Sequence, residues 1–316
     1  MPFPSETLAT LRPDLGGSLT EFDVESDQLG FVGAAVMPPK EVTLQSATFG
    51  RIPLEQLLIE PETARAPGSN YNRGDMQFEQ DSYSTAENGW EEPVDDREAR
   101  MYRYYFDAEL VSAQRARAVV RRAHEKRVAD LVAASSSAAA GTVWSNHSAA
   151  TPIADVEARK KAIWVDTGVW PNTVVMSRNV FRDCRRCDEI LDQVKNVRES
   201  LPGQVLRQLL AEAFDVDQVL VAGGVRNTAS KGKTREIAHI WGDTEVAVMR
   251  TAISDDIREP CFGRTMHWSE DGSTIGGTVE SYRGETNRSE IIRVRMDTNE
   301  KVLYPQMCQR ITDVAA

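Results

Sequence analysis

The sequence predicts an α+β fold, and three observations predict it. Helical and strand-like segments are interleaved with no regular βαβ repeat. The chain closes on two alternating β runs, Glu290–Met296 and Lys301–Ile311, joined by a turn at Asp297–Glu300. One stretch, Arg97–Ser135, contains neither glycine nor proline, and Met101, Tyr104, Tyr105, Ala108, Val111, Ala118, Val119, Val128 and Leu131 recur in it mostly at three- and four-residue steps. That spacing predicts one helix of about 57 Å at 1.5 Å per residue, with Asp95 or Asp96 capping its first turn.

The chain of 316 residues, 41% hydrophobic and 27% charged, has room for one large domain or two ordinary ones. No run of 18 apolar residues occurs, and Met1–Thr10 lacks the basic start and apolar centre of a signal peptide, so a soluble intracellular protein with no membrane partner is expected. Four cysteines form no disulfide framework in a chain this long and fit a reducing compartment. The net charge of −11 argues against general affinity for phosphate backbones, although an acidic wall can enclose DNA without gripping it.

Residues 1–40 carry prolines at 2, 4, 13, 38 and 39 with few regularly spaced apolar residues, which predicts an extended arm. Val42–Ile59 turns strand-like. Glu60–Asp96 is a polar excursion too long for an idle loop, and predicts a projecting β-hairpin whose distal end is acidic at Glu87, Glu91, Glu92, Asp95 and Asp96. After the long helix, Ser135–Gly141 reads as a linker. Pro152 opens a helix to about Val165. A buried strand is expected at Thr173–Met176, a helix capped by Ser177 through Val197, a helix at Pro202–Phe214 and a strand at Gln218–Ala222.

Within the long helix, Arg115, Arg117, Arg121, Arg122, Lys126 and Arg127 crowd thirteen positions with only Glu125 against them. This stripe is either a solvated face or the receiver for an acidic element of a neighbouring copy, with nucleic acid a distant third. The acidic run Glu87, Glu91 and Glu92 is the matching candidate.

Motifs that imitate catalytic sites fail on inspection. Asn227 stands where a phosphate-cradling loop ending in Gly232-Lys-Thr234 needs its first glycine, and the loop leads into a strand-like Ile237–Trp241. Val128 occupies the position of the second zinc ligand after His124-Glu125. Cys184 and Cys187 share a face with Phe181, Ile190 and Leu191, as buried cysteines do. A metal- or thiol-dependent enzyme built on Cys184, Cys187, Cys261 and His267 is the competing class. The expectation is a non-enzyme with no cofactor and no resident metal.

The order of the segments carries a resemblance. The arm, the long loop with Arg65-Ala-Pro-Gly-Ser69, the long helix, Pro152-Ile-Ala-Asp-Val156, Gly168-Val-Trp-Pro-Asn-Thr-Val-Val-Met-Ser177, Ile190-Leu-Asp-Gln-Val-Lys195, Phe214–Ala222, Asn227-Thr-Ala229 and Ile240-Trp-Gly242 follow one another as in the major capsid proteins of tailed bacteriophages, the Hong Kong 97 type fold. The resemblance runs from about residue 30 to the end of the chain. It implies an N-terminal arm at 1–40, a strand and extended loop at 41–96, a peripheral domain with its spine helix at 97–164, an axial domain at 165–289, and C-terminal strands at 290–316 returning to the peripheral domain.

It also implies a subunit that assembles with copies of itself, as hexamers and pentamers, into an icosahedral head around double-stranded DNA bound without sequence specificity. Assembly would take place in the host cytoplasm, with a portal and a separate scaffolding protein, because the arm begins near Met1. Some relatives weld their shells through a lysine in the extended loop. No lysine lies between Glu41 and Lys126 here, so non-covalent contacts are expected, with or without a decoration protein. An encapsulin-like compartment shell is the alternative within the fold.

Overall fold

The computed structural model describes residues 10–11, 30–75, 77–102, 107–194, 203–230, 232–256, 258–270, 272 and 276–315. Most of the expected arm therefore lies outside the described residues. Its end does not: β1 (Thr10–Leu11) pairs with a strand at residues 280–281, and helix α1 (Gly33–Val36) and strand β2 (Pro39–Val42) dock on the body of the chain. The extended loop is built on a hairpin of β3 (Ser46–Arg51) and β4 (Glu79–Ser84), with a short helix α2 (Leu54–Leu57) at its root.

The acidic segment expected at the loop's distal end is instead β5 (Ala86–Asp95), paired along its length with residues 289–298. The run looks like loop because strand residues facing solvent can be as polar as any loop. Asp95 caps the turn that follows, its Oδ1 accepting the Arg97 N–H at 2.8 Å. The helix expected over Arg97–Ser135 is divided: α3 is Asp96–Tyr102 and α4 is Ala108–Ala133. Asp107 begins the second with an extended backbone, its Oδ1 accepting the N–H of Glu109 at 3.0 Å and of Leu110 at 3.3 Å. At 26 residues α4 is about 39 Å long. The expected Ser/Ala linker contains β6 (Ser136–Ala139).

Pro152 opens α5 (Pro152–Thr167), which Gly168 ends in the left-handed conformation at φ 71°. β7 (Thr173–Ser177) is buried throughout. Ser177 caps α6 (Arg178–Cys184) by accepting the Val180 N–H at 3.3 Å. The single helix expected here breaks at Arg185–Cys187 and resumes as α7 (Asp188–Val194). α8 (Gly203–Phe214), β8 (Gln218–Ala222), the hairpin β9 (Val225–Asn227) and β10 (Ile237–His239), β11 (Val246–Met249), β12 (Gly263–Trp268) and β13 (Thr278–Gly284) follow.

β14 (Ser289–Val302) runs straight through the turn expected at Asp297–Glu300, and β15 (Cys308–Thr312) ends the chain's regular structure. The turn does not form because that segment is held by partners. Asp297 faces Glu87 of β5, and Thr298 to Val302 pair with His267 to Gly263 of β12.

Two sheets result. The six-stranded one has the order β1-β13-β14-β12-β2, with β5 also on β14. The five-stranded one has the order β6-β15-β11-β7-β8. Sheet membership crosses the expected boundaries, since β12 and β13 join β14 while β15 joins β7, β8 and β11. Helix α4 links the two. Ala113, Ala116 and Val120 pack on Val94, Val279, Ile292, Val294 and Met296 of the six-stranded sheet. Val128, Ala129 and Val132 pack on Val175, Ala247, Met249 and Cys308 of the five-stranded one.

The opposite face of the five-stranded sheet is covered by α5 to α8 through Ile153, Val156, Ile163, Val180, Cys184, Ile190, Leu210 and Phe214. Lys160, 1% exposed, reaches under this layer to the end of α8. Its Nζ donates to the carbonyls of Phe214 at 2.6 Å and Asp215 at 3.0 Å, satisfying acceptors a helix C-terminus leaves open.

Candidate assembly surfaces

The extended loop packs on little of its own chain. Every described residue from Leu58 to Gln80 is exposed, including Leu58, Ile59, Tyr71 and Phe78 at 55 to 70%. It is nonetheless shaped by local bonds: Asn72 Nδ2 donates to the Glu62 carbonyl at 2.8 Å, the Ser69 N–H to the Ala66 carbonyl at 3.1 Å, and the Arg65 guanidinium lies 4.8 Å from the Tyr71 ring centre.

The acidic run and the basic stripe meet within one chain, across a cleft of about 450 Å³ between β5 and α4. Arg115 Nη1 lies 3.5 Å from Glu92 Oε2, with the arginine side chain 71% exposed. Glu91 pairs instead with Arg293 of β14 at 3.8 Å, and Glu87 is exposed on β5. Arg117 is buried and donates through Nε to the Gly276 carbonyl at 2.7 Å. Arg121 and Arg122 are half-buried, and Lys126 pairs with Asp130 one turn along α4. The stripe is thus largely consumed inside the subunit, and Arg115 is its exposed member.

Two groups were missed. Glu125, 2% exposed, accepts three hydrogen bonds: Val32 N–H at 2.8 Å and the Trp241 indole N–H at 2.6 Å on Oε1, and Gly33 N–H at 2.7 Å on Oε2. Burial pushes its carboxyl above the usual range, and the three donors oppose that. The signal was present, because Glu125 shares a face with Val128 and Val132 at helical spacing. The second group is Glu300, which takes Arg127 in two bonds, Nε to Oε2 at 2.8 Å and Nη2 to Oε1 at 2.9 Å. Burial pushes Glu300 up, but Arg127 outweighs it and holds the carboxyl below its ordinary value. Burial also holds the neighbouring His124 low, against the pull of Glu300.

The residues of the competing enzyme class are not brought together. Cys184 and Cys187 lie in the helical layer, whereas Cys261 packs with Tyr83, Met266 and Leu303. Burial pushes the Cys184 thiol up and the Cys187 thiol to about 11, so neither is a thiolate at neutral pH. Among the described residues no cluster of three or more His, Cys, Asp or Glu side chains could hold a metal ion, and no helix is long and apolar enough to cross a membrane. The phosphate-loop mimic is the connection of the β9–β10 hairpin, with no helix following it.

No protein-family model matches the chain. In sequence it is 25% identical, over 292 residues covering 87% of this chain and 88% of the relative, to the major capsid protein of Burkholderia phage BcepMu. Among solved structures, a phage-related protein of Bordetella bronchiseptica superposes with a TM-score of 0.68 at 22% identity, covering 98% of this chain and 99% of that one. The capsid of Myoviridae phage XM1 gives 0.57 at 12% identity, covering 90% and 91%. The SrpI encapsulin of Synechococcus elongatus gives 0.57 at 11%, covering 89% and 86%. The chain has the Hong Kong 97 type capsid fold, and in sequence it resembles one phage major capsid protein.

Proposed function

We propose that this chain is the major capsid protein of a tailed phage, a non-catalytic shell subunit of the virion. In this reading it assembles in the host cytoplasm, as hexamers and pentamers, into an icosahedral head around double-stranded DNA. The observation that carries it is the fold together with sequence similarity to a phage major capsid protein over 87% of the chain. The exposed loop from Leu58 to Gln80 supports it, since a chain segment with that much apolar surface and little packing on its own body is what a neighbouring subunit would cover.

The six-stranded sheet with the first half of α4 corresponds to the peripheral domain, and the five-stranded sheet with α5 to α8 to the axial one. Glu87, Glu91 and Arg115, all exposed, are the members of the charged set available to a neighbour. A scaffolding protein, a portal and a decoration protein are the further partners. DNA contact would be weak and without sequence preference, as the net charge of −11 suggests.

Negative-stain microscopy and size-exclusion chromatography of the chain, alone and with the scaffolding candidate encoded beside it, test the reading. Closed shells, or hexamers and pentamers that close on adding the scaffold, are expected; a monomer under every condition would overturn it. The likeness to an encapsulin favours one second reading, a cellular compartment shell. Particles purified from the native source and holding DNA support the phage reading, whereas particles holding a cargo protein support the compartment.

A further inference from the structure

The two ends of β8 carry opposite charge. The strand begins beside a cleft of about 420 Å³ lined by Trp170, Glu212, Asp215, Asp217 and Arg250 among others. The three carboxylates are exposed. Trp170 is 44% exposed and stands edge-on to the equally open Trp164, ring centres 6.2 Å apart. Arg250 is held toward Glu259 at 3.7 Å and the Trp170 carbonyl at 3.4 Å. The cleft therefore presents carboxylates around an open indole, with the buried Lys160 Nζ 4.8 Å from the Trp170 ring centre and 3.0 Å from Asp215 Oδ2, which leaves Glu212 and Asp217 as its uncompensated acids.

At its other end β8 passes through Gly223-Gly224 into the β9–β10 hairpin. In a chain of net charge −11, residues 225–237 carry Arg226, Lys231, Lys233 and Arg235 against Glu236. Arg226, Lys233 and Arg235 are exposed, and so are Val225 at 42% and Ile237 at 50%. The hairpin combines cations with aliphatic surface, complementing the cleft in both respects.

β7 and β8 run parallel, pairing Thr173–Ser177 with Gln218–Ala222. Asn172 and Asp217 precede them and the hairpin follows Ala222, so cleft and hairpin stand at opposite ends of the sheet, about 16 Å apart along the strand. Surfaces placed that way meet only between copies, head to tail, and such a heterologous contact closes into a ring or runs on as a filament. We propose that the β9–β10 hairpin of one copy docks in the Trp170 cleft of the next. This rests on the shell reading and names the surfaces that would join its subunits. The charges orient the encounter, and Val225 and Ile237 against Trp170 supply the desolvated contact.

All four native cysteines are buried, which leaves room for an engineered crosslink. The full chain carrying Ser230→Cys in the hairpin and Glu212→Cys at the cleft is oxidised mildly and run under denaturing, non-reducing conditions. A ladder of dimers, trimers and higher species is expected, with only dimers when the two substitutions sit on separate chains that are mixed. Adding Arg226→Glu, Lys233→Glu and Arg235→Glu should lower the ladder at least tenfold. Shells without a ladder would overturn the docking and leave the shell reading standing. A ladder without shells would support the docking and count against closed assembly, and neither shells nor ladder would overturn both. A ladder unchanged by the triple reversal, or a hairpin whose reversal alters only DNA retention, would overturn the pairing of these two surfaces.

Discussion

The carboxylate of Glu125 on helix α4 accepts the indole N–H of Trp241 at 2.6 Å, joining two residues 116 positions apart. The same side chain receives the backbone N–H groups of Val32 and Gly33, so one buried acid fastens the incoming N-terminal segment and the Trp241 loop to the helix between the sheets. Leaving buried donors without acceptors costs about 1–3 kcal/mol per group. Glu125→Leu should therefore lower stability by about 3 kcal/mol or more in chemical denaturation. Glu125→Gln, which keeps one acceptor oxygen, should lose less, and Trp241→Phe, which removes one donor, less still. Equal losses from Leu and Gln would mean that packing, not the three hydrogen bonds, sets the effect.

Arg127 and Glu300 form the second fastening, between α4 and the end of β14. Two parallel bonds depend on the planar guanidinium, which lysine cannot reproduce. A double-mutant cycle with Arg127→Met and Glu300→Gln should give a coupling of about 1–2 kcal/mol, and Arg127→Lys should recover less than half of it. A coupling within about 0.3 kcal/mol of zero would place this pair with ordinary surface ion pairs.

Glu280 sets a pH dependence. It is 5% exposed on β13, accepting Arg293 Nε at 3.0 Å and Arg295 Nε at 2.9 Å. Burial pushes its carboxyl up, but the two arginines prevail and hold it below the ordinary glutamate value. A carboxyl whose folded value is depressed adds stability above its unfolded value, about 4.3, and loses it as pH falls through the folded one. The stability gap between the wild-type chain and Glu280→Gln should thus be full at pH 7 and shrink below about pH 4. A gap constant from pH 7 to pH 3 would show that the charge is not what the arginines recognise.

What could be read in the sequence was what local chemistry decides. Pro152 at a helix start, Ser177 as a cap and the apolar run at Thr173–Met176 need only their neighbours, and each is where it was expected. What could not be read depends on partners far along the chain. Asp107 interrupts an otherwise helical pattern without the glycine or proline that marks a break. β5 is polar because one side faces solvent, and it becomes a strand through β14, some two hundred residues away. Ser136–Ala139 has low strand propensity and is recruited by parallel pairing with Gln309–Thr312. The charged set was legible as opposite runs. That Arg115 meets Glu92 within the subunit follows from β5 lying beside α4, and that Glu91 and Arg117 are held by Arg293 and Gly276 follows from β14 and β13 lying near them, which no local pattern encodes.

Removing the extended loop separates folding from assembly. The described residues from Leu58 to Gln80 are exposed, so the subunit's core loses nothing when the middle of the loop is cut away. Its bonds are local, as in Asn72 to Glu62, and the Gln77 N–H to Gln56 Oε1 bond at 2.8 Å near the root survives if only residues 61–74 are replaced by a short Gly-Ser connection. Shortening a flexible connection changes closure entropy by only about 0.6 kcal/mol per halving of its length. Helix and strand content by circular dichroism and the denaturation midpoint should stay close to wild type, while closed particles disappear in electron micrographs. Normal shells from the shortened chain would mean that residues 61–74 are not an assembly element, and the apolar surface at Tyr71 would then need a different partner, leaving only Leu58, Ile59 and Phe78 for the neighbour.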